Sequence, residues 1–232
     1  VAWDWREVAN PSIAPDGAEH LVAFSLDRAI HLARRAAGGG FRLAGSGRVE
    51  APLFAPLIND EVRDAELVRE PTRWALYATR QVDGEAPRIV RADGGEGHTE
   101  TFSALEDVTL PADVTWAESP AVVEHRGQRF MAARVELDGA RVIALFVATD
   151  APGATFDWAG GDAASSVAVR RSDEWSRFDH DEVADPALVS DRFGLVRLYY
   201  AGRRGTRWSI GVRVSGDGLT WREPAEARVL AG

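Results

Sequence analysis

Three carboxylates fall at one recurring place in this chain, and their types suit proton transfer. Asp64, Glu118 and Asp185 each stand at or beside the opening of a short apolar segment, and Asn10 holds the same place in an earlier segment. A carboxyl such as Glu118, set beside Trp116 at a narrow mouth with other carboxylates near it, feels both desolvation and like charge. Both raise its pKa toward that of a usable general acid. Asn10 is a neutral amide, able to bind but not to deprotonate water or attack a carbon. The same polar residues also suit a structural task, anchoring neighbouring strands by hydrogen bonds.

The elements that would position them are visible as an internal repeat. Asn10-Pro-Ser-Ile-Ala, Asp64-Ala-Glu-Leu-Val, Ser119-Pro-Ala-Val-Val and Asp185-Pro-Ala-Leu-Val align, with starts 54, 55 and 66 residues apart. Turns such as PDG (15–17), HRG (125–127) and DRFG (191–194) follow, and alternating runs return in HLVAFS, RWALYAT, RFMAAR and VRLYYAG, the pattern of hairpins. Third strands are expected at AIHLA (29), RIVRA (88), VIALFVAT (142) and SIGVRV (209), and weaker fourth strands in FRLAGS, ETFSAL, TFDW and LTWRE. Period-two Val, Ile, Phe, Tyr and Trp between Gly-rich turns suits antiparallel strands, and no stretch reads as an amphipathic helix.

Four-stranded antiparallel units of about 50 residues in tandem predict an all-β chain folded as a β-propeller. The expected layout is a single domain, 1–232, with blades at about 9–50, 51–112, 113–180 and 181–232, and residues 1–8 offering a strand to close the ring. The first strand of each propeller blade lines a central channel. Asn10, Asp64, Glu118 with Ser119, and Asp185 are therefore expected to ring one mouth of it. Pro11, Pro120 and Pro186 fit the first residue of a strand, where a missing N–H costs no ladder bond.

At these residues a family resemblance becomes specific. Arg63-Asp64-Ala65 resembles the Arg-Asp-Pro element, and Glu118-Ser-Pro120 after Trp116 the Glu-x-Pro element, of the five-bladed propeller glycoside hydrolases of families 43, 32, 62 and their relatives, arabinanases, levansucrases and invertases among them. DPALV, RLYYAGRR and SIGVRVSGDGLTW also look like blades of that superfamily. The resemblance implies a glycoside hydrolase-like propeller of furanosidase or xylosidase type, acting on a glycan or oligosaccharide at the channel mouth. It also implies a secreted or extracytoplasmic setting. Carried over position by position, Glu118 takes the place of the proton donor and Asp64 that of the orienting, pKa-tuning carboxylate. Asn10 stands where the base or nucleophile belongs, a departure that matters because glycoside hydrolysis needs two working carboxylates. Asp185 could serve instead, a base could lie in a fifth blade outside this sequence, or the propeller could bind carbohydrate without cutting it. A structural domain of a larger secreted protein is a third alternative.

Trp116, Trp5 and Trp3 lie near the expected mouth as sugar-stacking platforms, with Asn10 and Ser119 as polar substrate-binding partners. Trp158 and Trp221, near blade ends, suit packing between blades. Ser215-Gly-Asp217-Gly-Leu-Thr-Trp221 resembles the Asp-box turn of sialidases and ATDAPGATFDW is a looser copy, but a sialidase would also need a Tyr nucleophile, a supporting acid and an Arg triad, usually across six blades, and Tyr77, Tyr199 and Tyr200 are the only tyrosines. Arg203-Arg204 could meet a substrate carboxylate or simply be solvated.

Composition removes other classes. With 36 acidic against 27 basic residues the net charge is −9, which disfavours nucleic acid as a partner. All 27 basic residues are Arg, so no Schiff-base chemistry is available. The absence of Cys excludes disulfides, thiolate metal sites and a Cys nucleophile. His20, His31, His98, His125 and His180 lack metal-ligand spacing. No cofactor is expected, a Ca²⁺ in the channel being the one cation the acidic residues leave open. No apolar run is long enough to span a membrane. The partner is expected to be a carbohydrate and the chain a monomer or part of a larger one.

Overall fold

The computed structural model describes residues 9–16, 19–26, 28–35, 41–43, 60–97, 101–224 and 228–231. Trp3, Trp5 and His98 fall outside them, and Asn10 is described by its backbone alone. The chain divides into two compact units, Val1–Asp107 and Val108–Gly232. Among the described residues there are strands and turns but no helix. No helix long and apolar enough to cross a membrane is found among them.

The first unit holds two antiparallel meanders. β1 (Ala9–Asp16), β2 (Glu19–Leu26), β3 (Ala29–Arg35) and β4 (Phe41–Leu43) pair in chain order, as do β5 (Asp60–Arg69), β6 (Trp74–Val82), β7 (Arg88–Asp93) and β8 (Glu106–Asp107). β5 packs against β1, β2 and β3. The resulting core joins Leu21 and Ile30 to Leu67, Trp74, Leu76 and Val90. Every residue from Trp74 to Thr79 is buried, as expected of a strand covered on both faces.

The second unit repeats the arrangement. Its sheets are β9 (Ala117–His125), β10 (Gln128–Leu137), β11 (Ala140–Ala148) and β12 (Phe156–Trp158), then β14 (Glu182–Ser190), β15 (Val196–Arg204), β16 (Arg207–Ser215) and β17 (Arg228–Ala231); β13 (Val167–Val169) adds to β11. Here β14 packs against β9, β10 and β11 around Ile143, Leu145, Val183, Leu198 and Tyr200. Arg126-Gly127 and Asp138-Gly139 adopt positive φ of 51° and 76°, and 52° and 72°, the two-residue turn whose twist matches flanking strands.

The first three strands of each sheet lie where the sequence pattern puts them, but two fourth strands do not. In the second sheet Phe102 makes only an isolated bridge to Gly94, and the pairing strand is Glu106–Asp107. In the last, Arg222 bridges Val214 while the strand is Arg228–Ala231. Edge strands pair on one side only, so their residues carry a weak alternation signal. The third sheet's fifth strand, β13, lies within the longest repeat spacing. The prolines differ too: Pro11, Pro120 and Pro186 sit inside β1, β9 and β14, not at their first residues.

Candidate active site

A β-bulge explains those prolines and builds the candidate site. In each sheet two residues of the first strand oppose one of the second: Asn10-Pro11 face Phe24, Asp64-Ala65 face Ala78, Ser119-Pro120 face Ala133, and Asp185-Pro186 face Tyr200. Asp64, Ser119 and Asp185 all have left-handed backbones, with φ of 55°, 52° and 48°. Asp tolerates this region better than most side chains, and the bulge leaves the next residue without a ladder partner, so Pro costs nothing there. One backbone device therefore recurs at all four segments that the sequence pattern aligned. Left-handed non-Gly residues are held only where surrounding structure dictates them, and they gather at functional sites.

In the first unit the bulge carboxylate is enclosed. Asp64 is 6% exposed; its Oδ2 accepts from Arg63 Nη1 at 2.7 Å and from Thr79 Oγ1 at 2.9 Å. Its backbone N–H donates to Ser25 Oγ at 3.1 Å, and Leu67 N–H donates to Ser12 Oγ at 2.9 Å. Serines of the first sheet thus satisfy the bulged strand of the second. Arg63 also donates to Gln81 Oε1 at 3.1 Å and lies 3.5 Å from Glu61.

In the second unit the bulge residue is Ser119 and the carboxylate stands one position earlier. Glu118 pairs across the strands with Arg134, whose Nη1 donates to Glu118 Oε1 at 2.9 Å; both residues are 8% exposed. Arg134 Nη2 donates in turn to Glu182 Oε1 on β14, and Glu182 Oε2 accepts from Arg203 Nε at 2.8 Å. Burial by itself would push the Glu182 carboxyl up, but the hydrogen bond from Arg203 and the charge of Arg134 hold it below its ordinary value. Trp116, half-buried, lies under Arg134 at 5.8 Å and Arg141 at 4.5 Å. Ser119 Oγ donates to Asp185 Oδ1 at 3.4 Å, joining the two bulges of this unit, and Asp185 itself is exposed.

Glu118 is therefore bonded to a guanidinium, a partner the sequence reading did not foresee. The pairing depends on register, which the bulge advances by one residue; composition around Glu118 gave no sign of Arg134, Glu182 or Arg203. Within the second unit the structure brings together Glu118, Trp116, Ser119 and Asp185. Asp64 belongs to the first unit, and Trp5 lies outside the described residues.

The other motifs resolve into architecture. Asp217 Oδ1 accepts from Leu219 N–H and Thr220 N–H at 2.8 Å each and Trp221 Nε1 donates to Gly218 O at 3.2 Å, so the Asp-box is a closed turn after β16. Those backbone donors hold the Asp217 carboxyl well below the usual carboxylate range. The looser copy does the same through Asp150 Oδ1, which accepts from Ala154 and Thr155 N–H. Trp158 stacks on Phe146 at 4.8 Å in the blade core. Arg203 is held by the Glu182 carboxylate, and the exposed Arg204 donates from Nη1 to Ser176 O at 3.1 Å. No group of three His, Cys, Asp or Glu side chains among the described residues has the arrangement of a metal site.

No family model matches the chain, and no curated protein matches it by sequence. Solved structures do. A thermostable family 43 glycoside hydrolase superposes with a TM-score of 0.73 over 97% of this chain and 74% of its own, at 11% identity. The fold is that of the family 43 β-propellers. An endo-arabinase from Bacteroides thetaiotaomicron (TM-score 0.70, 12% identity, 95% of this chain and 81% of its own) and an α-L-arabinofuranosidase from Lactobacillus brevis (0.69, 14%, 96% and 73%) are similar on the same scale. On this propeller each four-stranded meander is a blade, and the bulge is a feature of the blade's first strand. Identity at this level speaks for the fold, so the chemistry rests on the residues above.

Proposed function

We propose that this chain is a glycoside hydrolase-like propeller that acts on a neutral glycan or oligosaccharide, with Glu118 as proton donor. The observation that supports it is the β-bulge repeated in the first strand of every sheet, with a polar residue held in the left-handed conformation at Asp64, Ser119 and Asp185. The propeller fold shared with arabinan-acting enzymes supports carbohydrate as the ligand class.

The proposed chemistry is protonation of the glycosidic oxygen as the bond to the anomeric carbon breaks. Glu118 supplies that proton, and Arg134, which donates to Glu118 from Nη1 and to Glu182 from Nη2, fixes the position of the carboxyl. For Asp64, fixed by Arg63 and Thr79 within the first unit, the proposed role is the orienting one that the resemblance gives it. Asp185, the exposed carboxylate that accepts from Ser119 Oγ, takes the base role that Asn10 cannot fill.

One observation favours a second reading, binding without cleavage: an amide at the base position together with a cation clamped on Glu118. Hydrolysis of aryl arabinofuranosides, xylosides and fructosides decides between them. Loss of the proton donor in Glu118→Gln is expected to lower turnover by roughly 10²–10⁴-fold. Equal rates for Glu118→Gln and its parent remove Glu118 as the acid. Glycan binding with no turnover by the parent establishes the second reading.

A further inference from the structure

Glu118 and Glu182 stand near the starts of β9 and β14, and the far ends of the same two strands hold a second set of reactive side chains. β9 closes on His125 and β14 on Ser190. His125 is 4% exposed, a buried titratable group that the glycosidic chemistry leaves unused. Its Nδ1 lies 3.3 Å from Ser190 Oγ and its Nε2 3.3 Å from Gly216 O. Gly216 follows the last residue of β16, so three strand ends meet at one imidazole.

The partners decide the hydrogen-bond roles. A carbonyl oxygen only accepts, so in the neutral ring Nε2 carries the proton and Nδ1 presents its lone pair to Ser190, whose hydroxyl donates. This is the relation of a hydroxyl nucleophile to its base, with the base held in turn by a third group. The imidazole is buried and fixed while Ser190 is exposed, so the oxygen is open to a substrate. Ser190 opposes Val196, and Val196 opposes Ser215, so the turn after β14 and the turn after β16 lie at this same end of the sheet. They expose Phe193 (75%) and Leu219 (47%), and Val189 beside Ser190 is 48% exposed. Arg126 adjoins His125 in the chain and Arg192 lies over Phe193 at 4.8 Å, both exposed.

We infer that Ser190 and His125 form an acyl-transfer site, separate from the residues at the other ends of these strands, which cleaves an uncharged carboxylic ester with an apolar acyl group. The inference is independent of the carbohydrate reading. Ser190 Oγ bonds to the ester carbonyl carbon as its proton passes to His125 Nδ1, and the carbonyl electron pair moves onto oxygen. Guanidinium N–H groups at this end suit that negative charge. When the pair returns, the bond to the ester oxygen breaks and the alcohol leaves with the proton from Nδ1. Water repeats both steps on the acyl-serine, releasing the acid and restoring the hydroxyl and the neutral ring. Phe193, Leu219 and Val189 supply the apolar surface for the acyl group.

The test is covalent labelling of the folded parent with an alkyl fluorophosphonate, in which Ser Oγ displaces fluoride, followed by peptide mass mapping, together with hydrolysis of para-nitrophenyl butyrate. The label is expected on Ser190. Ester turnover is expected to fall roughly 10²-fold in both Ser190→Ala and His125→Gln, and labelling of Ser190 to fall by a similar factor in His125→Gln. Labelling the parent in urea separates an activated serine from an ordinary one without any substitution, and there the label is expected to be lost. A folded parent without label on Ser190 overturns the site. So does label that forms at the same rate in urea or in His125→Gln, and so does ester turnover unchanged in Ser190→Ala.

Discussion

The first strands of the second and third blades share one backbone and differ in what they place on it. In the first unit the left-handed residue is itself the carboxylate, Asp64, and its cation is the preceding residue, Arg63. In the second the left-handed residue is Ser119; the carboxylate is one step earlier, and its cation, Arg134, comes from the next strand and reaches a third. One arrangement is local and closed, the other crosses two sheets and ends at the surface. The bulge is therefore a structural constant of the blade, and chemistry is decided by which residue occupies it and where its counter-charge originates.

The comparison breaks most sharply at the two arginines. Arg134→Leu is expected to cost about 3–5 kcal/mol, because it removes the cation bonded to Glu118 where each side chain is only 10% exposed. Arg63→Leu is expected to cost about 1–2 kcal/mol, since Arg63 is 23% exposed, water can replace it, and Thr79 still donates to Asp64. Urea unfolding of the two variants measures the difference, and equal costs would show the local and crossing pairs to be equivalent.

A smaller effect sharpens the shared part. A β-branched side chain is ill suited to positive φ, so Ser119→Val is expected to be less stable than Ser119→Gly by about 1–2 kcal/mol. Both substitutions remove the hydroxyl that donates to Asp185, which isolates the backbone contribution. Thermal unfolding of the pair is the measurement, and matching stabilities would mean that the bulge does not require its left-handed residue.

How much of this was legible in sequence follows from the same contrast. The repeat exposed the blades because burial imposes period-two patterning on every inner strand, and Pro11, Pro120 and Pro186 marked the bulge even though strand starts seemed their natural place. Asp64 was legible with its cation, since Arg63 is its neighbour in the chain. The ion pairs from Glu118 through Arg134 to Glu182 and Arg203 were not. Glu118 meets Arg134 only because two residues of β9 oppose one of β10, and Arg134 meets Glu182 only because β14 packs on β10. The misplaced fourth strands have a similar origin, pairing on one side and carrying little burial.

The smallest expected effect concerns the residue that links the two sheets of the second unit. The Glu182 carboxyl is held below its ordinary value in the folded chain, with Arg203 and Arg134 outweighing burial. A carboxylate with a depressed folded pKa adds stability above its unfolded pKa and loses it as the pH falls through the folded one, so the contribution is present at neutral pH and fades below about pH 4.5. Glu182→Gln should therefore lower stability near pH 7 by no more than about 1 kcal/mol, because the half-exposed pair is screened. The deficit should close as the medium is acidified. Urea midpoints taken from neutral pH down to about pH 3 test this, and a constant gap between Glu182→Gln and its parent would mean that Glu182 acts by packing and not by charge. In that case Arg134 would be held by Glu118 alone, and the ion pairs would lose the link that carries them from one sheet to the next.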